Sequence, residues 1–145
     1  MPRITDSPII SIDPGRTKCG IAVVNCNKIV VERDIIHTEG LNGVVSYLVG
    51  KYGSNTVILG DRTYSKKIYS MLKNSGLRLD IIFVDEDKSS EQGRRRYLMD
   101  NKPKGLGILL PMGLRSPDKP YDDYVAIILA ERYFDGIRST RRRKK

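Results

Sequence analysis

Three acidic groupings stand out along the 145 residues: Asp13 in Ile-Asp-Pro-Gly, the run Asp85-Glu86-Asp87, and the pair Asp122-Asp123. Each has an ordinary reading. Asp-Pro-Gly is a common turn, acids after an apolar run form solvated loops, and Asp at a helix start caps free N–H groups and complements the dipole. Their conjunction asks for more. If the apolar runs before Asp13 and Asp85 are parallel strands of one sheet, and Asp122 opens a helix, the carboxylates gather at the sheet's C-terminal edge. Ligand sites of open α/β sheets lie there. Carboxylates brought together repel one another unless a cation joins them, and oxygen-only donors suit Mg²⁺ or Mn²⁺. The lone histidine, His37, has no partner in the sequence and receives no role. Two such ions, ~3.5–4 Å apart, activate water and stabilise the leaving oxygen when a phosphodiester is hydrolysed.

The elements that must position these residues follow from turn signals and periodicity. Residues 8–13 form an apolar run ended by Pro14-Gly15, 19–25 a second strand, and 28–36 a third, joined by a tight Asn25–Asn27 turn. Short connections make these an antiparallel meander. Leu41, Val44, Val45, Leu48 and Val49 then recur at helical spacing, with Gly53 as the stop. Residues 56–60 (Thr-Val-Ile-Leu-Gly) are a continuous apolar strand, fit for a sheet covered on both sides. A helix over 65–74, a strand over 80–84, a polar helix over 89–99 and a last helix over 122–134 complete the order. The spacing predicts an α/β fold: a five-stranded mixed sheet, antiparallel meander then βαβ units, with helices on both faces. Residues 102–120, with four prolines and three glycines in nineteen positions, read as a long loop that is functional or disordered.

Composition bounds the function. The length is a prior for one domain and excludes enzymes built from two large lobes, among them actin-like ATPases that enclose a nucleotide between two Asp-x-Gly lobes. The mixture of 39% apolar and 30% charged residues belongs to a globular chain, neither disordered nor membrane-spanning. Cys19 and Cys26 sit seven positions apart, so an extended strand sends them to opposite faces; they are expected to be reduced thiols of a cytoplasmic protein. No apolar leader or membrane span is expected. The net charge of +9 calls for a polyanionic partner. Two thirds of that excess lies in the last eight residues, which hold six basic groups and no acid. Residues 1–137 are expected to form the domain and 138–145 a basic, disordered tail, an electrostatic anchor without sequence preference.

At this point the chain resembles a known family. Residues 9–23 (Ile-Ile-Ser-Ile-Asp-Pro-Gly-Arg-Thr-Lys-Cys-Gly-Ile-Ala-Val) are similar to the opening motif of the RuvC/YqgF branch of ribonuclease-H-like nucleases. Residues 84–90 (Val-Asp-Glu-Asp-Lys-Ser-Ser) resemble the Asp-Glu-Arg segment of YqgF proteins, with Asp87 in place of the Arg. Residues 121–134 resemble that family's closing helix. The resemblance implies a divalent-metal endonuclease whose catalytic carboxylates fall on Asp13, Glu86 and Asp122. Asp13 would bridge two Mg²⁺ or Mn²⁺ ions with the others as outer ligands. Asp123 competes with Asp122 as a metal ligand, because successive helical residues differ by only about 100°.

RNA, and specifically ribosomal precursor RNA, is the favoured substrate because the closing motifs are nearer YqgF. The alternatives are a Holliday junction resolvase, acting as a homodimer on four-way DNA, and a catalytically silent nucleic-acid-binding relative. Nucleic-acid contacts are expected from Arg16 and Lys18 beside Asp13, from Arg94 and Arg95 after the acidic run, from Lys102 and Lys104, and from Arg141, Arg142 and Arg143 in the tail.

Overall fold

In a computed structural model of the chain, residues 7–62, 64–100 and 121–143 are described, with 137–143 described as backbone alone. The strands are β1 (Ile9–Asp13), β2 (Lys18–Val24), β3 (Val30–His37), β4 (Thr56–Gly60) and β5 (Asp80–Val84). The helices are α1 (Leu41–Tyr52), α2 (Ser65–Lys73), α3 (Ser89–Asp100) and α4 (Asp122–Arg143). The strands form one sheet in the order β3-β2-β1-β4-β5. β1, β2 and β3 pair antiparallel, whereas β1 pairs β4 and β4 pairs β5 in parallel. The expected mixed sheet is therefore present, and the C-terminal ends of β1, β4 and β5 share one edge.

Alternation along β1 supplies both faces of the core. Ile10 and Ile12 join Leu41, Val45, Leu48, Ile68 and Leu72 beneath α1 and α2. Ile9 packs on the other side with Ala126, Ile127, Leu129 and Ala130 of α4. Ser11, fully buried on that second face, donates a 2.7 Å hydrogen bond to the Ala126 carbonyl and ties α4 to the central strand. The cysteines separate as the odd spacing requires: Cys19 lies in the first core and Cys26 packs against the second, and both are free thiols.

Several boundaries differ from the sequence reading. β3 begins at Val30 because Asn25 closes a turn, its side-chain oxygen accepting from the amides of Asn27 and Ile29, with Lys28 in the left-handed region at φ 64°. A 3-10 turn at Thr38–Gly40, without an apolar signature of its own, leads into α1. α1 ends as expected at Gly53, which takes φ 65°. α4 runs well beyond Phe134, to Arg143, so the backbone of residues 138–143, read as a disordered tail, is helical. Among the described residues no helix is long and apolar enough to cross a membrane. Lys102, Lys104 and the rest of residues 102–120 lie outside the described residues, as do the side chains of Arg141, Arg142 and Arg143.

Candidate active site

The site forms where the sheet's alternation and two glycines leave room. Asp13 is the last residue of β1 and faces α4, on the same side as Ile9 and Ser11. Opposite it in the antiparallel register stands Gly20 of β2. On its other flank, one step beyond the Ile12–Leu59 pair, stands Gly60 of β4. A methyl group on Gly20 would lie 1.9 Å from the Asp122 carbonyl oxygen, and one on Gly60 would lie 2.4 Å from the Glu86 carboxyl carbon. The missing Cβ atoms let the first turn of α4 press on β2 and let Glu86 reach across β4. A glycine inside a strand pattern signals such a close approach, and that signal was present in the sequence at both positions.

Glu86 is held from two sides at the end of β4. Its amide donates to Asp61 Oδ1 at 3.1 Å, and its Oε2 accepts from the Arg62 amide at 2.6 Å. The Arg62 guanidinium lies 3.9 Å from Asp85 and 3.5 Å from Asp87, long and exposed pairs worth little by themselves. Asp61 and Arg62 carry no motif of their own; their place past the end of β4, beside β5, is what brings them to Glu86.

The electrostatics show that the three carboxylates act on one another. Burial, then a hydrogen bond with Glu86, then the charges of Asp122 and Glu86 push Asp13 from 3.8 up to about 8. Burial also raises Glu86, opposed by its hydrogen bonds from the Arg62 amide and with Asp13. The hydrogen bond between them raises Asp13 and lowers Glu86, so Asp13 is the member of the pair that favours the protonated form. Asp122 is raised by burial and by the neighbouring Asp123 charge, with Lys18 acting in the opposite direction. Among the described residues, no group of three or more His, Cys, Asp or Glu side chains is arranged to hold an ion. The donor set still fits a hard cation, since it is all oxygen.

Asp123 is turned to another task. It is buried and accepts a 2.7 Å charge-assisted hydrogen bond from Arg33 of β3. The same guanidinium lies 4.6 Å from the Tyr124 ring centroid. The two aspartates thus face different partners: the charge of Asp122 acts on Asp13, and Asp123 ties α4 to β3 through Arg33. Arg33→Ala would leave a buried carboxylate unpaired and is expected to cost about 2–3 kcal/mol, less than a wholly buried pair because Arg33 is half-exposed. Asp123→Asn should cost less, and thermal unfolding of the two variants checks the order.

The basic candidates divide. Arg16 is exposed in the turn after Asp13 and Lys18 is exposed at the start of β2, close enough to act on Asp122. The turn is braced from below, because Thr38 donates through its hydroxyl to the Gly15 carbonyl and through its amide to the Thr17 carbonyl. Arg95 is exposed on α3, whereas Arg94 is half-buried. Arg96, which was given no binding role, pairs with Glu131 of α4 at 2.7 Å. Tyr124 is core, meeting the Tyr97 ring edge-on at 5.5 Å.

The strand order, the helices on both faces and the position of α4 across the central strands define a ribonuclease-H-like α/β fold. No family model matches the sequence, and no curated protein matches it. Solved structures do. RuvC of T. thermophilus in complex with a Holliday junction substrate superposes with a TM-score of 0.56 at 13% identity, covering 92% of this chain and 97% of that one. A second Thermus thermophilus RuvC structure gives 0.55 at 14% identity, with the same coverage. The yeast mitochondrial Holliday junction resolvase Ydc2 gives 0.57 at 12% identity, covering 92% of this chain and 80% of that one. At these identities the likeness is one of fold.

Proposed function

We propose that the chain is an endonuclease that hydrolyses phosphodiester bonds of structured nucleic acid with Mg²⁺ or Mn²⁺ held by Asp13, Glu86 and Asp122. The observation that carries this reading is that Asp13, on the central strand, is hydrogen-bonded to Glu86 and feels the charge of Asp122, residues of two other elements, with Gly20 and Gly60 on its flanks. When bound, the ions supply an activated water and a counter-charge for the leaving oxygen. The chain's own residues do the rest. Asp13 occupies the centre, Asp61 and the Arg62 amide hold Glu86, and Asp122 is presented by the first turn of α4. Arg16 and Lys18 lie exposed beside Asp13, where a phosphate backbone would pass, and Arg95 extends that surface. Lys102, Lys104 and the basic terminus add salt-dependent affinity without reading sequence.

Two substrates fit the reading. A four-way DNA junction is favoured by the fold shared over nearly whole chains with resolvases, and would require a homodimer because two strands must be cut. Ribosomal precursor RNA is favoured by the resemblance of residues 84–90 and 121–134 to YqgF proteins. The test is incubation of a labelled four-way junction and a labelled structured precursor RNA with the protein in Mg²⁺ and in Mn²⁺. Metal-dependent cleavage of either is expected, and a dimer cutting the junction symmetrically would select the first. Binding of both with cleavage of neither, in any divalent metal, would instead identify a silent nucleic-acid-binding relative.

A further inference from the structure

Arg132 lies on α4, ten residues beyond Asp122, and reaches out of its own helix. Its Nη1 donates to the Asp85 carbonyl at 2.7 Å, and its Nη2 donates to Gln92 Oε1 of α3 at 2.9 Å. Asp85 is the residue immediately before Glu86, in the short connection between β5 and α3. On the opposite side, just past β4, Asp61 accepts from the Glu86 amide and the Arg62 amide donates to the Glu86 carboxylate. A guanidinium donating from both prongs to two partners on different elements is a fixed arrangement, because its planar fork loses little freedom per bond formed. A lysine or a solvated surface arginine would not span both.

Resting on the nuclease reading above, we infer that Arg132 is a positioning residue for Glu86. It holds the backbone of the acidic loop from the α4 side, so that one helix seats two of the three carboxylates: Asp122 directly and Glu86 through the Asp85 carbonyl. Outer partners of metal ligands act this way, and their loss typically lowers metal affinity or activity by about 10–100-fold.

The test uses the full-length protein and two readouts. Hydrogen exchange at the Glu86 amide reports the loop without any metal, and calorimetric titration with Mn²⁺ reports the ligand set. Arg132→Ala is expected to speed exchange at Glu86 and to weaken Mn²⁺ binding about tenfold. Its cleavage should fall in kcat with KM for nucleic acid unchanged, as a phosphate contact would not behave. In a Glu86→Gln background, Arg132→Ala should weaken Mn²⁺ binding no further, since the residue acts through Glu86. Arg132→Lys, which keeps the charge but only one prong, serves if the alanine variant fails to fold, and should show the same exchange change. Unaltered Glu86 exchange, or an equal loss of Mn²⁺ affinity with and without Glu86, would overturn the inference. Absence of Mn²⁺ binding by the unsubstituted protein would overturn the metal reading instead, and the exchange measurement would still decide whether Arg132 holds the loop.

Discussion

Asp13→Asn is expected to abolish cleavage and, in the same molecule, to make the metal-free protein more stable. The loss of activity follows from its position between Gly20 and Gly60, where no other carboxylate can replace it; a fall of roughly a thousandfold or more is expected. The gain in stability follows from the proton it holds. Burial and the Glu86 hydrogen bond raise Asp13 from 3.8 to about 8. Between those two values the folded chain binds a proton that the unfolded chain has released, so stability is full below pH ~4 and falls as pH rises towards 8. An asparagine has nothing to ionise and escapes that penalty, so the variant should gain on the unsubstituted protein steadily as pH rises from 4 to 7.5. Denaturant unfolding at pH 4 and pH 7.5 checks the claim: the advantage of the variant should appear only at the higher pH. Mn²⁺ should restore the unsubstituted protein by about 2.7 kcal/mol at a hundred times its Kd and leave the variant nearly unmoved. Parallel pH profiles for the two proteins would sink the idea.

The second large effect comes from giving a side chain to each flanking glycine, because the two collisions differ in kind. At Gly20 the new methyl meets the backbone of Asp122 and Asp123, at 1.9 and 2.7 Å for the carbonyl oxygen and the amide nitrogen. Backbone cannot swing aside, so the first turn of α4 must lift from β2, taking Asp122 and the Arg33–Asp123 pair with it. Gly20→Ala is expected to cost about 3 kcal/mol, at the upper end of overpacking, and to lose activity with it. At Gly60 the obstruction is the end of the Glu86 side chain, which can rotate away. Gly60→Ala should therefore leave the melting temperature within a few degrees while cleavage falls roughly a hundredfold or more through the displaced carboxylate. Thermal unfolding and cleavage rates measured on both variants separate the cases. Equal stability losses would show that the two glycines serve packing alike.

Much of this architecture was legible in the order of residues. Apolar runs marked every strand, Pro14-Gly15 and the Asn25–Asn27 turn separated the first three, and the 3.6-residue pattern with Gly53 bounded α1. The continuous apolar run at 56–60 required a covered, parallel position, which β4 occupies between β1 and β5. The acidic groupings were visible because charged residues at strand ends and helix starts stand out against apolar neighbours. Periodicity also has limits: α4 is buried on nearly all sides from Asp123 to Ala130, so no apolar face told Asp122 from Asp123.

The sequence by itself determined the five strands, their mixed pairing and the edge at which acids would gather, since these depend on local alternation and the lengths of connections. Only the tertiary structure decided which acids meet. Asp123 faces Arg33, ninety residues away in the chain, Glu86 is bonded to Asp61 and Arg62, and Asp85 beside it to Arg132. Those contacts are set by how strands lie side by side and how closely a helix can approach them. That distance was written in Gly20 and Gly60 as an absence of side chain, which acquires meaning only when a second element arrives to fill it.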